Sequence, residues 1–417
     1  MPRSAADIVV IGGGIVGASV AYELATAGSD VLLVDAALAG RASQAGAGIA
    51  SPTTFTDPDA QWHRFGEASA AHLRQLVERL RDDDADPGED AFLECGSLVV
   101  ALAEHEDAWF EEALSMATRR DRQAVEITAV EAQAFFPPLA RPWRAMFSPH
   151  SARVDGRRLT DALHRALRGR GVPVVDGGVR ALSRRGDRVV GVSTTDGSVA
   201  CGQVVLAAGA WTAKLAGSSG ASVPVVPTKG EIVHMVLPPD GDLAPPSGAW
   251  PIVQPVLNFY LVPWSGGRVA CGGTFDSAAG FDTRPTVGGL RDLLRESLVI
   301  APGLAPAELV ETRVGLRPTT PDDRPVLGLL PGVDNVHLCT GHGANGLLVG
   351  PYSGALVAGA LLREQGASLP YGVERFGSDT VMAGDRRRLP RRSDPAPQPL
   401  PPTGGPPRMA TEQQPDH

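Results

Sequence analysis

Apolar positions near the beginning of the chain predict a strand, a helix and a second strand. Residues 8–11 are all apolar, as in a buried parallel strand, and residues 31–34 repeat that pattern. The segment between them has a helical pattern up to about Ala27, and Gly28 is suited to end that helix. This order predicts a strand–helix–strand unit that belongs to a parallel sheet.

Three glycines and one acid accompany this unit. Gly12, Gly14 and Gly17 form Gly-x-Gly-x-x-Gly directly after the first strand, and Asp35 ends the second strand, eighteen residues after Gly17. Gly12 permits a tight turn, Gly14 lets the backbone approach a pyrophosphate, and Gly17 lets the helix pack on the sheet. The Asp35 carboxylate has the spacing that reaches a ribose hydroxyl. The glycines alone are weak evidence, but strand, glycines, helix, strand and acid together predict a dinucleotide site.

Later segments alternate between helical and strand patterns. Helices are predicted at residues 61–81, 107–120, 129–136, 158–168, 287–299 and 347–363. Strands are predicted at residues 98–102, 172–175, 178–182, 189–194, 204–211, 231–236, 251–255, 259–262, 268–271, 312–318 and 336–339. The run of strands and turns from 231 to 271 favours a mostly antiparallel unit inserted into an α/β chain.

A second Gly-x-Gly-x-x-Gly begins at Gly341, after a predicted strand and before a predicted helix. No strand with a terminal acid is predicted after that helix, so the context of a second dinucleotide site is missing. The motif instead predicts a helix N-terminus whose free backbone N–H groups face an electron-rich group.

Residues 41–50 are mostly small, which suits a segment lying against a large flat cofactor. By composition alone a flexible loop is an equal alternative for this segment.

Composition narrows the classes of function. The formal net charge of −9 argues against nucleic-acid and anionic-membrane partners. The four cysteines have no Cys-x-x-Cys spacing, which predicts reduced thiols and neither a metal site nor a disulfide framework. No apolar run is long enough for a transmembrane segment, and we expect a cytoplasmic enzyme. The Pro- and Arg-rich residues 377–417 are expected to be a disordered tail.

The order of the motifs resembles the FAD-dependent D-amino-acid oxidase superfamily, and most closely its glycine oxidase and D-amino-acid dehydrogenase-like branch. The resemblance runs in order from residue 7 to 372. The segments that carry it are residues 11–17, 154–159, 204–211, 227–231, 260–263, 280–282, 315–318 and 341–346.

The resemblance implies an α/β fold, with a Rossmann-type FAD-binding domain and an interleaved α+β substrate domain that contains a mostly antiparallel sheet. The FAD-binding domain would comprise residues 1–85, 145–222 and 312–372, and the substrate domain residues 86–144 and 223–311. Members oxidise a C–N bond by hydride transfer to flavin N5, and the imine then hydrolyses. Oxygen or another acceptor reoxidises the flavin. The attachment residues of the covalently flavinylated relatives are absent, which implies non-covalent FAD.

Two residues take the family's catalytic positions. Arg317, in Gly-Leu-Arg-Pro, resembles the arginine that binds the substrate carboxylate, and Tyr260 resembles its hydroxyl partner. The alternatives are a surface salt bridge for Arg317 and a core aromatic for Tyr260. The resemblance assigns cofactor contacts to Gly12, Gly14, Ile15, Val16, Gly17, Asp35, Ser43, Gln44, Gly46, Gly48, Ile49, Val179, Ala208, Gly209, Trp211, Gly315, Gly343, Asn345, Gly346 and Leu347.

Two departures weaken an assignment to glycine as substrate. Ala344 stands where glycine oxidases often have an arginine, and Trp264 stands where the family is often basic. The sequence therefore predicts an enzyme that oxidises a small amino acid or secondary amine related to glycine, D-amino acids, sarcosine or proline. The alternatives are a flavin-fold protein that binds without catalysis and an amine dehydrogenase that uses an acceptor other than oxygen.

Overall fold

The structure, a computed structural model, describes residues 4–52, 59–121, 123–239, 250–257, 259–363 and 369–377. Of the tail that was predicted to be disordered, residues 378–417 lie outside the described residues. The α-helices in the described part are α1 (Ile15–Thr26), α2 (Ala42–Ala45), α3 (Ala60–Asp82), α4 (Asp107–Arg120), α5 (Ala129–Phe135), α6 (Gly156–Gly169), α7 (Thr212–Gly217), α8 (Val287–Ile300) and α9 (Gly346–Leu362). Within these ranges no helix is both long and apolar enough to cross a membrane.

Strands form three sheets. They are β1 (Ala5–Ile11), β2 (Val31–Asp35), β3 (Ile49–Ala50), β4 (Phe92–Glu94), β5 (Ser97–Ala101), β6 (Val125–Ile127), β7 (Arg144–Ser148), β8 (Ala152–Val154), β9 (Val174–Asp176), β10 (Val179–Arg185), β11 (Arg188–Thr194), β12 (Gly197–Leu206), β13 (Val226–Val236), β14 (Ile252–Pro255), β15 (Tyr260–Pro263), β16 (Arg268–Gly272), β17 (Glu308–Thr319), β18 (Val326–Leu329) and β19 (Val336–Thr340).

The first sheet contains the predicted βα unit. Its order is β10-β11-β12-β1-β2-β9, and β19 joins it by pairing with β12. The central strand β1 pairs in parallel with both β2 and β12. Alternate residues of β1 enter two separate apolar cores, one on each face of the sheet. A strand buried on both faces reads as continuous apolar sequence, which explains why residues 8–11 were recognisable.

The second sheet is mostly antiparallel, with the order β17-β13-β16-β15-β14-β5-β7-β6. Its one parallel pair joins β14 to β5, which come from segments far apart in the chain. Strands β7 and β17 belong to this sheet, although the expected bounds place residues 145–148 and 312–319 in the FAD-binding domain. The bounds given above for the FAD-binding and substrate domains stay a prediction. The third sheet, β3-β8-β4, is small.

Helices α1 and α9 pack closely on one face of the first sheet. A Cβ added to Gly350 would lie 2.9 Å from the Val16 side chain, and one added to Gly354 would lie 3.0 Å from the Val20 backbone nitrogen. Small residues in α9 therefore allow this approach. Both helices begin at glycine motifs that follow parallel strands. Their N-termini therefore lie at the same edge of the sheet, where these strands end.

Candidate active site

A cleft of about 2430 Å³ is lined by residues of both large sheets and by the starts of α1 and α9. Drug-sized ligands usually occupy pockets of about 300–1,000 Å³, so this cleft can hold a much larger molecule. Every predicted site residue lines the cleft except Gly17 and Gln44. The structure thus brings together residues spread from Gly12 to Leu347.

The first glycine motif has the geometry that its sequence predicts. Gly12 has φ +107°, and an added Cβ would lie 2.4 Å from the carbonyl oxygen of Ala207. Gly17 lies under α1, where an added Cβ would come within 1.9 Å of the Gly12 carbonyl oxygen. Gly17 therefore allows helix and turn to pack, which explains its absence from the cleft lining. Gly14 is the N-cap residue of α1 and has no side chain with which to cap the helix itself.

Asp35 and Ser43 flank this motif. The Ser43 hydroxyl accepts a hydrogen bond from the Ile15 N–H at 3.0 Å, at the start of α1. The Asp35 carboxylate accepts one from Arg41 Nη1 at 2.8 Å and remains largely buried at the end of β2.

The small-residue segment is ordered against the second sheet. Gly48 has φ +104°, and an added Cβ would lie 2.6 Å from the Val154 carbonyl oxygen and 2.8 Å from the Trp264 ring. Only glycine therefore fits this turn without movement. Gln44 does not line the cleft, and its backbone carbonyl accepts a hydrogen bond from Arg157 Nε at 2.8 Å. A side-chain contact between Gln44 and the cofactor has no support in this arrangement.

These features fit FAD. The lack of a side chain at Gly14, where α1 starts, leaves room for a pyrophosphate, and Asp35 lies where a ribose hydroxyl can be bound. Residues 45–49 supply a flat lining that a flavin ring needs, and α9 begins on the cleft at Asn345 without a side-chain cap. The positive end of its helix dipole favours electron-rich groups there.

Arg317 is a largely buried cation in the cleft wall. Its Nη1 donates a hydrogen bond to the Thr274 carbonyl oxygen at 2.9 Å, and its guanidinium carbon lies 4.1 Å from the centre of the Phe275 ring. Among the described residues no carboxylate forms an ion pair with it. Burial lowers the pKa of Arg317, while Tyr260 raises it. Within the part of the chain that the structure describes, the Arg317 charge therefore lacks an anionic partner.

Tyr260 lies beside Arg317. It pairs with Gly272 across β15 and β16, and an added Cβ on Gly272 would come within 2.4 Å of the phenolic oxygen. Burial raises the pKa of Tyr260, and the neighbouring Arg317 lowers it. The absence of a side chain at Gly272 thus makes room for the Tyr260 hydroxyl.

At the other wall, Ala344 is exposed to the cleft, while its neighbour His342 is buried. Burial lowers the pKa of His342 to about 3, so its imidazole is neutral at physiological pH.

Trp264, which stands where the family is often basic, does not line the cleft, so its side chain does not form a wall of the substrate site. Its ring lies between two guanidinium groups, 5.2 Å from that of Arg153 and 4.7 Å from that of Arg268. It shares the sheet face of Tyr260 but lies four residues further along, where the turn at Gly48 covers it.

Sequence reasoning missed Phe275, which stacks on Arg317, and Gln254, which lies on the strand next to Tyr260. Neither belongs to a motif with a known spacing. Only the strand register could have revealed Gln254, because it places Gln254 opposite Tyr260.

Comparisons with known proteins agree with this geometry. The family described as FAD dependent oxidoreductase (DAO) matches residues 7–360. The uncharacterized oxidoreductase YurR of Bacillus subtilis is 34% identical over 366 residues, which cover 86% of this chain and 95% of that protein. The glycine oxidase of Pseudomonas aeruginosa is 33% identical over 362 residues, which cover 84% of this chain and 93% of that protein.

Among solved structures, the iminodiacetate oxidase IdaA from Chelativorans sp. BNC1 superposes with a TM-score of 0.80 at 33% identity. The match covers 88% of this chain and 98% of that one. The family match and these similarities confirm the resemblance found in the motifs. This chain belongs to the FAD-dependent oxidoreductase family and is an FAD-dependent enzyme.

Proposed function

We propose that this enzyme oxidises the C–N bond of a small amino acid or secondary amine that carries a carboxylate, and that it prefers substrates larger than glycine. The observation that carries the proposal is Arg317, a buried guanidinium in the cleft without an anionic partner among the described residues. An unpaired buried charge is costly, and a substrate carboxylate supplies the missing partner.

Arg317 and Tyr260 would hold the substrate together. Guanidinium binds carboxylate through two parallel charge-assisted hydrogen bonds, and the Tyr260 hydroxyl donates another to the same group. Thr274 and Phe275 fix the guanidinium before substrate arrives, which reduces the entropy lost on binding. The role of these protein residues is thus to bind and orient the substrate. FAD, when bound, would supply the chemistry that oxidises the C–N bond.

Ala344 supports a substrate larger than glycine. Its methyl group faces the cleft, so the volume that an arginine would fill remains open. Each buried methylene contributes about 0.8 kcal/mol, which favours substrates that fill this volume. The relatives named glycine oxidase and iminodiacetate oxidase act on small carboxylates, in line with this substrate class.

Two further features belong to the proposal. FAD is bound without a covalent link, and its final electron acceptor is oxygen or a second oxidant. The enzyme works in the cytoplasm, since all four cysteines are free thiols.

Matched substrate pairs test the proposal. Sarcosine, proline and alanine would be compared with dimethylamine, pyrrolidine and ethylamine, which lack only the carboxylate, using both enantiomers where they exist. Each assay would run with oxygen and with a dye acceptor in parallel. We expect turnover only with the carboxylates. Equal kcat/KM for a carboxylate and its matched amine would refute the role of Arg317.

A further inference from the structure

Gln254 lies next to the carboxylate-binding pair. In the second sheet Val253 pairs with Leu261 in antiparallel register, so Gln254 lies opposite Tyr260 on the same face. On the next two strands, Gln254 pairs with Val99 of β5, and Val99 pairs with Met146 of β7. Tyr260, Gln254, Val99 and Met146 thus form one row across four strands, and all four line the cleft.

The far end of this row forms an apolar chamber. Helix α4 packs over Val99 and Met146, and its residues Trp109, Ala113 and Met116, which recur at helical spacing on one face, also line the cleft. We call the space lined by Val99, Met146, Trp109, Ala113 and Met116 the side-arm chamber. It continues the cleft away from Arg317, beyond Gln254.

The oxygen of the Gln254 amide is unpaired among the described residues. Its Oε1 is buried and, among the residues that the structure describes, accepts no hydrogen bond. A buried amide without a partner is costly to the fold, and such groups in native proteins call for an explanation. Because a primary amide can turn about its last bond, it can present either its oxygen or its NH₂ group to the cleft.

The charges around the chamber favour an uncharged ligand. None of the side chains in the row is ionic, and the charged residue that α4 adds to the cleft lining is Glu112. Neither the row nor α4 adds a cation to the lining, so an anionic group there would lose its hydration without a counter-charge from these two elements, whereas an amide or hydroxyl could pair with Gln254.

We propose that Gln254 is a specificity-determining residue that selects substrates with an uncharged side arm bearing an amide or hydroxyl group. This inference rests on the proposed function, since Arg317 and Tyr260 must hold the carboxylate for the side arm to point toward Gln254. The chamber then accommodates the apolar part of the side arm.

Three acids of almost equal shape test the inference with the holoenzyme. Succinamate, 4-methylpentanoate and succinate end in an amide, an isopropyl group and a carboxylate, and they lack the amino group that would be oxidised. Their dissociation constants would be measured from the change in the visible absorbance of bound flavin. We expect succinate to bind at least about tenfold more weakly than succinamate.

Gln254→Met keeps the length of the side chain and removes its amide. The measured quantity is the dissociation constant of 4-methylpentanoate divided by that of succinamate. We expect this ratio to be lower in the variant by about tenfold or more, because the preference for the amide is lost. Gln203→Met is the matched control, because Gln203 Oε1 is also buried without a partner among the described residues but does not line the cleft. The control should leave the ratio unchanged.

The outcomes separate the inference from the proposed function. If the acids bind through Arg317 but the ratio does not change in Gln254→Met, or if succinate binds as tightly as succinamate, the inference is overturned and the proposed function stands. If no acid changes the flavin spectrum, or if Arg317→Lys binds all three as tightly as wild type, the proposed function fails and the inference fails with it.

Discussion

Replacing Arg317 by lysine should weaken binding of carboxylate substrates while leaving FAD binding intact. Lysine keeps the positive charge but offers a point charge in place of a planar fork. The Arg317 guanidinium already donates one hydrogen bond to the Thr274 carbonyl oxygen and stacks on Phe275. A lysine ammonium at this position would have to divide its donors between Thr274 and the substrate.

The expected loss of substrate affinity follows from the hydrogen bonds that the lysine cannot make. Losing one of two charge-assisted hydrogen bonds costs about 1.5–3 kcal/mol. Since about 1.4 kcal/mol is a factor of ten, the dissociation constant of a carboxylate ligand should rise about 10- to 150-fold. KM should rise more than kcat falls, because the same bonds hold substrate and transition state.

The assay measures steady-state kinetics for the best carboxylate substrate and the affinity for a non-reactive carboxylate. Arg284→Lys is the matched control, because Arg284 is exposed and pairs with Asp282 outside the cleft lining. Unchanged substrate affinity in Arg317→Lys would refute the reasoning. A variant that lost FAD would show instead that Arg317 supports the cofactor site.

Three other predictions concern the cofactor, the cleft wall and pH. Acid precipitation should release all the flavin into the supernatant, and colour remaining with the pellet would contradict non-covalent binding. Ala344→Arg should fill the open volume and raise kcat/KM for glycine relative to alanine and sarcosine, and an unchanged ratio would show that Ala344 does not set substrate size. Stability should fall as pH drops below about 6.5, because burial lowers the pKa of His234 and of His342 to about 3, so the unfolded chain takes up protons that the folded chain does not. At pH 5 the loss is about 2 kcal/mol for each of these buried histidines, and equal urea midpoints at pH 7.5 and pH 5 would refute it.

Local patterns in the sequence predicted the nucleotide half of the cleft. The glycine motif, α1 and Asp35 lie within one short segment, so their geometry follows from local rules of turn and helix formation. Helix α4 was predicted with its observed ends, Asp107 and Arg120, because its apolar periodicity is strong. The strand β7 was missed, since its short sequence shows no clear alternation and its pairing with β5 is non-local.

The substrate half depends on contacts between distant parts of the chain. Arg317 could be assigned a role only by resemblance, because Thr274 and Phe275 lie more than forty residues away. The position of Trp264 could not be predicted, because it depends on which segment covers its end of the sheet. Gln254 gave no signal, since a single polar residue in a strand is ordinarily solvated.

Two polar groups in the cleft lower the free energy of unfolding when no ligand is bound. Both lie on the sheet that faces the proposed flavin site. Arg317 is a largely buried cation without a counter-ion, and Gln254 has a buried amide oxygen without a hydrogen-bond partner, in each case among the described residues. Apolar residues of similar size at these positions would stabilise the empty protein, because buried polar groups contribute to stability only when they are paired. A carboxylate ligand with an uncharged polar side arm supplies both missing partners at once. Binding of the proposed ligand would therefore recover this cost, and the two unsatisfied groups match the ligand that we propose for this cleft.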